Sequence, residues 1–279
     1  MFLNGLGRLG ATWNTLPDPV IDWTRDSIRR LVGTMGPKQL SATVISLGKL
    51  GWRWEGLGER QRRALLRSIP RSMTDGAACG EIANLANGLG VMGVVWHTLP
   101  RSVLSAFASG INRVGRWGSP SELASTLYGI ALMECQWKNQ FDANLQSILV
   151  EGIVRAAGEP DTSPHTVANL VYSLSLLSFD VEDLELQQQL FPAYIALLDS
   201  IDRGGISRFS EKEREQLLMF VHLLRSVTPC KEQAEMMRPI FRVAKRSTVY
   251  HLYKCFKTTS PRKRICMCVF SVFRRWYEY

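Results

Sequence analysis

A single motif recurs along the chain about every 41 residues, and this recurrence limits the possible folds more than any other feature. The clearest copies are LGRLGATWNTLP from Leu6, LGKLGWRWEGLG from Leu47 and LGVMGVVWHTLP from Leu89. Weaker copies begin at Ile130 and Leu174, so successive copies lie 41, 42, 41 and 44 residues apart. A period of this length is typical of two-helix units that stack on one another. We therefore predict an all-α superhelix, an α-solenoid of about five two-helix repeats.

Each repeat carries signals for a first helix (helix A), a short loop and a second helix (helix B). Helix A is expected to start at a proline, which suits the first helical position, and to stop at a glycine. A tryptophan in the following loop is expected to fill the core between repeats. The prolines are Pro37, Pro120 and Pro164, the glycines are Gly10, Gly51 and Gly93, and the tryptophans are Trp13, Trp54, Trp96 and Trp137.

The glycines of the motif also match G-x-G-x-x-G, the turn that approaches a pyrophosphate in dinucleotide-binding enzymes. That turn needs a preceding strand and an acidic residue about twenty positions later within a βαβ unit. Only four residues precede Gly5, and the stretch before Gly88, ACGEIANLAN, is not strand-like, so this interpretation fails on context. A glycine inside a helix costs about 0.5–1 kcal/mol relative to alanine, so repeated small residues indicate close approach of neighbouring helices. Two columns accept only small residues: Gly5, Ser46, Gly88, Gly129 and Ser173, and Gly7, Gly48, Gly90, Ala131 and Ser175.

Three regions follow from the pattern. Residues 1–200 form the repeat array, and its first repeat is expected to be truncated because Met1 stands too few residues before the motif. Residues 201–248 continue helically without the tryptophan and glycine columns, and we interpret them as a capping pair. Residues 249–279 form a basic tail. We expect the chain to be a fragment of a longer protein with further repeats upstream.

The charge is distributed unevenly. Residues 1–158 carry 17 Lys and Arg against 11 Asp and Glu, residues 159–235 carry 6 against 13, and residues 236–279 carry 11 against 1. The C-terminal segment therefore supplies the overall charge of +9. A basic tail of this kind favours polyanions or acidic membrane surfaces as partners.

Motifs for catalysis, cofactors or metals are not recognisable. His251, Cys255, Cys266 and Cys268 form H-x3-C-x10-C-x-C, which is not the spacing of a common zinc site. The six scattered cysteines fit a reducing compartment, and the nine-residue apolar run ICMCVFSVF is too short to span a bilayer. We expect no enzyme activity, no cofactor, no metal and no membrane insertion.

The pattern A-N-x-L-x-x-L-G-x-M-G-x-x-W-x-x-L-P resembles octotricopeptide-type repeats of algae and other protists. The best matches are ANLANGLGVMGVVWHTLP at 83–100 and LGRLGATWNTLP at 6–17, and the resemblance covers residues 1–200. It implies sequence-dependent binding of single-stranded organellar RNA by a mitochondrial or plastid protein. Such a protein would act as an adaptor in RNA processing, stability or translation, together with other proteins of an RNA-processing complex.

Helix A is numbered from Ser41, Ala83, Ala124 and Ala168 as position 1. Candidate RNA-binding residues come from positions 2, 5 and 9, which share one helix face. Asparagine can pair with base edges, tyrosine can stack on a base, and arginine or lysine can hold phosphate. Alternatively, the asparagines only hydrogen-bond to the next repeat and the tyrosines only pack. The arginines of the second helix B, ERQRRALLRSIPR, either follow phosphates or form a solvated outer face. The candidates are Asn84, Asn87, Ser125, Tyr128, Asn169, Tyr172, Arg8 and Lys49.

A second functional class stays open. Solenoid surfaces bind proteins as well as RNA, and the net charge through residue 235 is only −1. The chain is therefore also interpreted as a protein-interaction scaffold or a structural subunit of an organellar complex.

Overall fold

The computed structural model describes Leu3, Gly5, Leu6 and residues 11–73, 76–178 and 184–226. These residues contain eleven α-helices and five short 3-10 turns, with no strand among them. The helices are α1 (Asp18–Leu31), α2 (Pro37–Lys49), α3 (Glu59–Ser72), α4 (Cys79–Met92), α5 (Arg101–Trp117), α6 (Pro120–Leu132), α7 (Trp137–Gln140), α8 (Ala143–Gly158), α9 (Pro164–Leu177), α10 (Leu184–Gly204) and α11 (Glu211–Ser226).

The helices form two layers that follow the repeat. The A layer is the continuous stack α2, α4, α6, α9 and α11, in which each helix packs on the next. The B layer is the parallel series α1, α3, α5, α8 and α10, again in chain order. Each two-helix unit thus packs mainly against its neighbours, and the predicted all-α solenoid is confirmed.

Helix A begins and ends where the sequence signals predict. The Ser119 hydroxyl accepts a hydrogen bond from the Glu122 backbone N–H, and the Glu122 carboxylate accepts the Ser119 N–H at 2.8 Å, which completes the capping box. Gly51 and Gly93 end their helices in the left-handed region, with φ of 78° and 83°. The equivalent position of the next repeat is Glu134, which adopts the same conformation with φ of 61° although it is not glycine. The third predicted helix stop, Gly10, lies outside the described residues.

Four glycines of the two small-residue columns lie where neighbouring A-layer helices touch: Gly48, Gly88, Gly90 and Gly129. A Cβ on Gly5 would meet nothing within 4 Å, and Gly7 lies outside the described residues. A Cβ added to Gly88 would lie 2.7 Å from the backbone nitrogen of Ile45 in α2. On the other side of α4, Gly90 lies against the Gly129 carbonyl of α6, and Gly129 lies against the backbone at Ala86. The predicted close approach of neighbouring helices is therefore confirmed, and backbone leaves no room for side chains at these points.

The tryptophan column fills the core between units. Trp13, Trp96 and Trp137 are buried, and Trp54 is partly buried. The Trp96 indole N–H donates to Gln140 Oε1 at 3.0 Å, and its backbone N–H donates to the Met133 carbonyl of the next unit at 2.7 Å. The predicted role of these tryptophans in inter-repeat packing is confirmed.

A column of arginines links successive B-layer helices. In each B-layer helix from α3 onward, one guanidinium donates to backbone carbonyls at the end of the preceding B-layer helix or within five residues after it. Cations at helix C-termini satisfy carbonyls that have no partner within their own helix. The pairs are Arg71 to Gly33 at 3.0 Å, Arg113 to Ala77 at 2.6 Å, Arg155 to Arg116 at 2.5 Å and Arg203 to Ala157 at 2.6 Å.

The described helices continue through the predicted boundary at residue 200. Helix α10 extends to Gly204, and α11 continues the A layer by packing on α9. The second helix of the expected capping pair and the basic tail, 249–279, lie outside the described residues. The division into array, cap and tail stays a prediction.

Candidate functional site

One side of the A layer stays accessible along its whole length, and it carries the predicted positions. We call this surface the A face and define it by positions 2, 5 and 9 of each A-layer helix. Within α4, for example, Asn84 is exposed, while Asn87 and Val91 are partly buried. The A-face residues are Ala42, Ile45 and Lys49, Asn84, Asn87 and Val91, Ser125, Tyr128 and Leu132, and Asn169, Tyr172 and Leu176. Of the eight candidates, Arg8 lies outside the described residues.

Two tyrosines from adjacent units meet in the middle of this surface. The ring centroids of Tyr128 and Tyr172 lie 5.9 Å apart with an interplanar angle of 39°. Both rings are partly buried. Burial raises the pKa of both phenols, and the neighbouring Tyr128 adds to the rise at Tyr172. The pair forms an aromatic platform that stays protonated at neutral pH.

The three asparagines differ in their surroundings. Asn84 is exposed, so its amide is available to solvent. The Oδ1 atom of Asn87 is buried and has no hydrogen-bond partner among the described residues. Asn169 is engaged, because it contacts His165 Nε2 at 3.1 Å and accepts from Gln216 of the next unit at 3.4 Å. Of the two interpretations of the asparagines, cross-repeat hydrogen bonding therefore describes Asn169 in this structure.

The structure adds a fifth row that the sequence analysis did not assign. Gln216 in α11 stands six residues after Ser210, as Asn169 stands six residues after Ser163. Met219 stands nine residues after Ser210, as Tyr172 stands nine residues after Ser163. The side chains of Gln216 and Met219 are both partly buried. The signal was present in the sequence, because S-x-x-E at Ser210 repeats the capping box at Ser119 and defines the register.

The A face carries few free charges. Lys38 and Lys49 lie exposed at its N-terminal end, on α2. Its carboxylates cap helix starts: those of Glu81 and Glu122 accept backbone N–H groups of Ala78 and Ser119. Among the A-face positions that the structure describes, Lys49 is the only charged side chain, so these positions form no continuous basic row.

Glu213 in α11 caps its helix in the same way and also reaches the neighbouring unit. Its carboxylate accepts the Ser210 N–H at 2.7 Å and contacts His165 Nδ1 at 3.2 Å. Partial burial acts to raise the pKa of Glu213, but hydrogen bonds from Ser210 and the contact with His165 outweigh it and lower the pKa. This carboxylate therefore joins α11 to α9 in its charged form.

The arginine-rich helix is α3, which lies in the B layer and away from the A face. Arg62 and Arg63 pair with Glu59 at 3.2 and 2.7 Å. Arg71 holds the carbonyl of Gly33, so it links helices. The position of α3 alone does not test whether these arginines follow phosphates or form a solvated outer face.

Among the described residues, no group of three or more His, Cys, Asp and Glu side chains is placed to hold a metal ion. His251, Cys255, Cys266 and Cys268 lie outside the described part of the chain. No helix in that part combines the length and apolar character that crossing a membrane requires.

Comparisons with known proteins add no assignment. The chain matches no protein-family model, no curated protein and no solved structure.

Proposed function

We propose that the protein binds single-stranded RNA along the A face and acts as a non-catalytic adaptor. The observation that carries this proposal is the alignment of amide, hydroxyl or aromatic side chains in four of the five stacked helices, α4, α6, α9 and α11, with Lys49 at the same surface of α2. Helical-repeat proteins of other kinds read one base per repeat with two or three side chains. The A face offers this arrangement over four units.

The chemistry of the A face suits unpaired bases better than a duplex. A base stacked on the Tyr128–Tyr172 platform would gain about 1–3 kcal/mol, and stacking tolerates every base. The exposed amide of Asn84 can pair with a base edge, whereas the Asn87 oxygen is buried and would have to turn outward to accept from a base. Lys49 would hold a phosphate at one end of the surface.

A second candidate function is supported by the row at position 9. Beyond Lys49 this row consists of Val91, Leu132 and Leu176, all partly buried and apolar. An apolar row beside a nearly neutral surface also suits an amphipathic protein helix. The competing proposal is a scaffold that binds a protein on the same A face.

The location and the biological role come from the octotricopeptide-type resemblance. We propose a mitochondrial or plastid protein whose partners are organellar RNA and other proteins of an RNA-processing complex. The absence of a catalytic role is part of the same proposal.

The test measures binding of a fluorescent single-stranded ten-nucleotide RNA pool by anisotropy at low and moderate salt. The RNA proposal expects saturable binding that weakens as salt rises, because phosphate contacts release counterions. Tyr128→Leu should weaken binding roughly 5- to 100-fold, the equivalent of one stacked base, whereas Tyr128→Phe should bind like the parent chain. Thermal unfolding of each variant shows whether weaker binding reflects the loss of a contact or the loss of the fold.

Two matched controls locate the binding. Asn84→Ala should weaken binding severalfold, whereas Asn144→Ala, an equally exposed asparagine of the B layer, should not. A chain lacking residues 249–279 should retain the sensitivity to Tyr128→Leu. The RNA proposal fails if the pool does not bind at low salt, or if binding ignores the A-face substitutions and disappears with the tail.

A further inference from the structure

His165 joins α9 to α11 through a chain of hydrogen bonds between side chains. Its Nδ1 atom contacts Glu213 Oε1 in α11 at 3.2 Å, and its Nε2 atom contacts the amide nitrogen of Asn169 at 3.1 Å. The Asn169 oxygen in turn accepts from the Gln216 amide nitrogen at 3.4 Å. Asn169 and Gln216 occupy position 2 of α9 and α11, so the chain ends in two amides of the A face.

Only one protonation state of the His165 ring satisfies every bond in this chain. The charged carboxylate of Glu213 only accepts, so the ring proton must lie on Nδ1. An amide nitrogen only donates, so Nε2 must offer its lone pair to Asn169. The contacts therefore require a neutral His165 with its proton on Nδ1.

The neutral ring in turn fixes the orientation of both amides. Because its nitrogen is held at Nε2 of His165, Asn169 directs its oxygen toward α11, and Gln216 directs its nitrogen toward that oxygen. The Gln216 Oε1 atom makes no hydrogen bond with any residue that the structure describes. This oxygen is therefore available as an acceptor for a ligand on the A face.

A second proton on His165 would reverse this pattern. Both ring nitrogens of an imidazolium donate, so an N–H at Nε2 would meet the amide N–H groups of Asn169. Turning the Asn169 amide over places its oxygen at Nε2 and its nitrogen at Gln216, which must then turn over in order to accept. The contact with Glu213 persists, because the carboxylate accepts in both states. The available atom of Gln216 thereby changes from an acceptor to a donor.

The elements packed on α9 bring one described carboxylate against His165, that of Glu213. On the other side of α9, the only charged residue of α6 is Glu122, whose carboxylate accepts from Ser119 and lies near Gly80 of α4. The contacts that respond directly to a proton on His165 are therefore those with Glu213 and Asn169. Other charged residues at this end of α10, of α11 and of the loop before α9 make no hydrogen bond or ion pair with His165: Glu159, Asp161, Asp202, Arg203, Glu211 and Lys212.

The unit of α4 lacks this arrangement and provides an internal reference. Gly80 stands four residues before Asn84, as His165 stands four residues before Asn169. Glycine offers no ring, and Asn84 makes no side-chain hydrogen bond with the described residues. The orientation of the Asn84 amide is therefore independent of any neighbouring histidine.

We propose that His165 is a positioning residue that selects which base edge the amides of Asn169 and Gln216 recognise. Neutral His165 leaves an acceptor on Gln216, which favours the exocyclic amino group of cytosine or adenine; charged His165 leaves a donor, which favours the carbonyl of uracil or guanine. Histidine ordinarily changes its charge between about pH 5 and 8, so base selection at these two units depends on pH in that range. The inference rests on the proposed binding of RNA to the A face.

The first test needs no RNA. Long-range ¹H–¹⁵N NMR spectra of the full chain report which ring nitrogen of each histidine carries the proton, and His165→Gln identifies the signals of His165. At about pH 8 we expect the proton on Nδ1. As the pH falls to about 5.5, the side-chain amide signals of Asn169 and Gln216 should shift with the same midpoint as the His165 ring, whereas those of Asn84 should not.

The second test compares two fluorescent ten-nucleotide RNAs by anisotropy at about pH 8 and about pH 5.5, one of uridine alone and one of alternating uridine and cytidine. The ratio of their dissociation constants cancels any general gain in affinity for phosphate from a charged ring. We expect the preference for the cytidine-containing RNA to fall roughly 3- to 10-fold at the lower pH. His165→Gln should show one ratio at both pH values, whereas His97→Gln, at an exposed histidine of the loop before α5, should respond like the parent chain.

The outcomes separate this inference from the proposed function. A ring proton on Nε2 at about pH 8, or amide signals of Asn169 and Gln216 that ignore the titration of His165, would overturn the inference without reference to RNA. A ratio of dissociation constants that is the same at both pH values in the parent chain would overturn it as well. A chain that binds neither RNA, although NMR shows the reversal, would refute the proposed function and base selection together and leave the amide reversal established.

Discussion

Gly88→Ala tests the central packing inference, because two effects of opposite sign compete at this position. Alanine is a better helix former than glycine, and inside a helix the exchange gains about 1 kcal/mol. The added Cβ would, however, lie 2.7 Å from Ile45 N and 2.8 Å from Ile45 Cα. Both contacts are backbone atoms of α2, which cannot turn aside as a flexible side chain does.

The structure indicates which effect is larger. Ordinary contact begins near 3.4 Å, so α2 and α4 must separate by about 0.7 Å along this direction. A gap of 0.5–1 Å forfeits roughly a quarter to a half of the dispersion energy between the atoms concerned. Overpacking of this kind costs about 1–3 kcal/mol, and a clash with backbone belongs in the upper part of that range. After the gain in helix propensity, we expect a net loss of about 1–2 kcal/mol.

The assay is unfolding by heat and by urea, followed by circular dichroism at 222 nm. The expected loss corresponds to a fall in Tm of about 2–8 °C for a domain of this size. The matched control is Gly158→Ala at the end of α8, where an added Cβ would meet nothing within 4 Å. That variant should be neutral or slightly stabilised. If Gly88→Ala instead raises Tm as the control does, close approach of α2 and α4 is not the reason for the glycine column.

Three further predictions concern single positions. Glu134→Gly should stabilise the fold by about 0.5–1 kcal/mol, because glycine adopts a left-handed backbone without steric cost and the higher entropy of its unfolded chain cancels only part of this gain. Glu134→Ala removes the charge but keeps a Cβ, so it should not stabilise the fold. Arg155→Ala should lower the free energy of unfolding in urea by about 1–3 kcal/mol, since three backbone carbonyls lose their charged donor. The pKa of Glu213 is lowered in the folded state, so its contribution to the free energy of unfolding is present above the unfolded pKa of about 4.3 and is lost as the pH falls through the folded pKa. Glu213→Gln should therefore be less stable than the parent chain at pH 7 and equally stable in acid. Parallel curves of stability against pH would contradict this.

Much of the scaffold was predictable because each weak local signal for a helix start, a helix stop or a contact recurs in several repeats. One proline or glycine is a weak signal, but the same residue type at one register position in several copies identifies a helix start, a helix stop or a contact. The capping box at Ser119 and the helix stops at Gly51 and Gly93 were predictable in this way. The arginine column is equally periodic, but charged surface residues usually vary freely, so its periodicity alone does not indicate a contact between helices.

The candidate site was predictable only as a surface. Helical periodicity places positions 2, 5 and 9 on one face, and seven of the eight candidates are exposed or partly buried in the described part of the chain. Their role in binding stays a prediction. Periodicity does not say which side chains find partners. Asn169 shares its amide with Gln216, whereas the oxygen of Asn87 is buried without a described partner.

The sequence by itself determined the two-helix unit, its period and the side of helix A that stays accessible, because these depend on spacing along one chain. The tertiary structure decided which backbones touch and which carbonyls each arginine reaches. These properties depend on distances between units that are about 41 residues apart in sequence. Glu134 shows the difference most directly. Its residue type argues against a left-handed backbone, yet it adopts one between two buried residues, Met133 and Cys135, where the Met133 carbonyl accepts the Trp96 backbone N–H of the preceding unit.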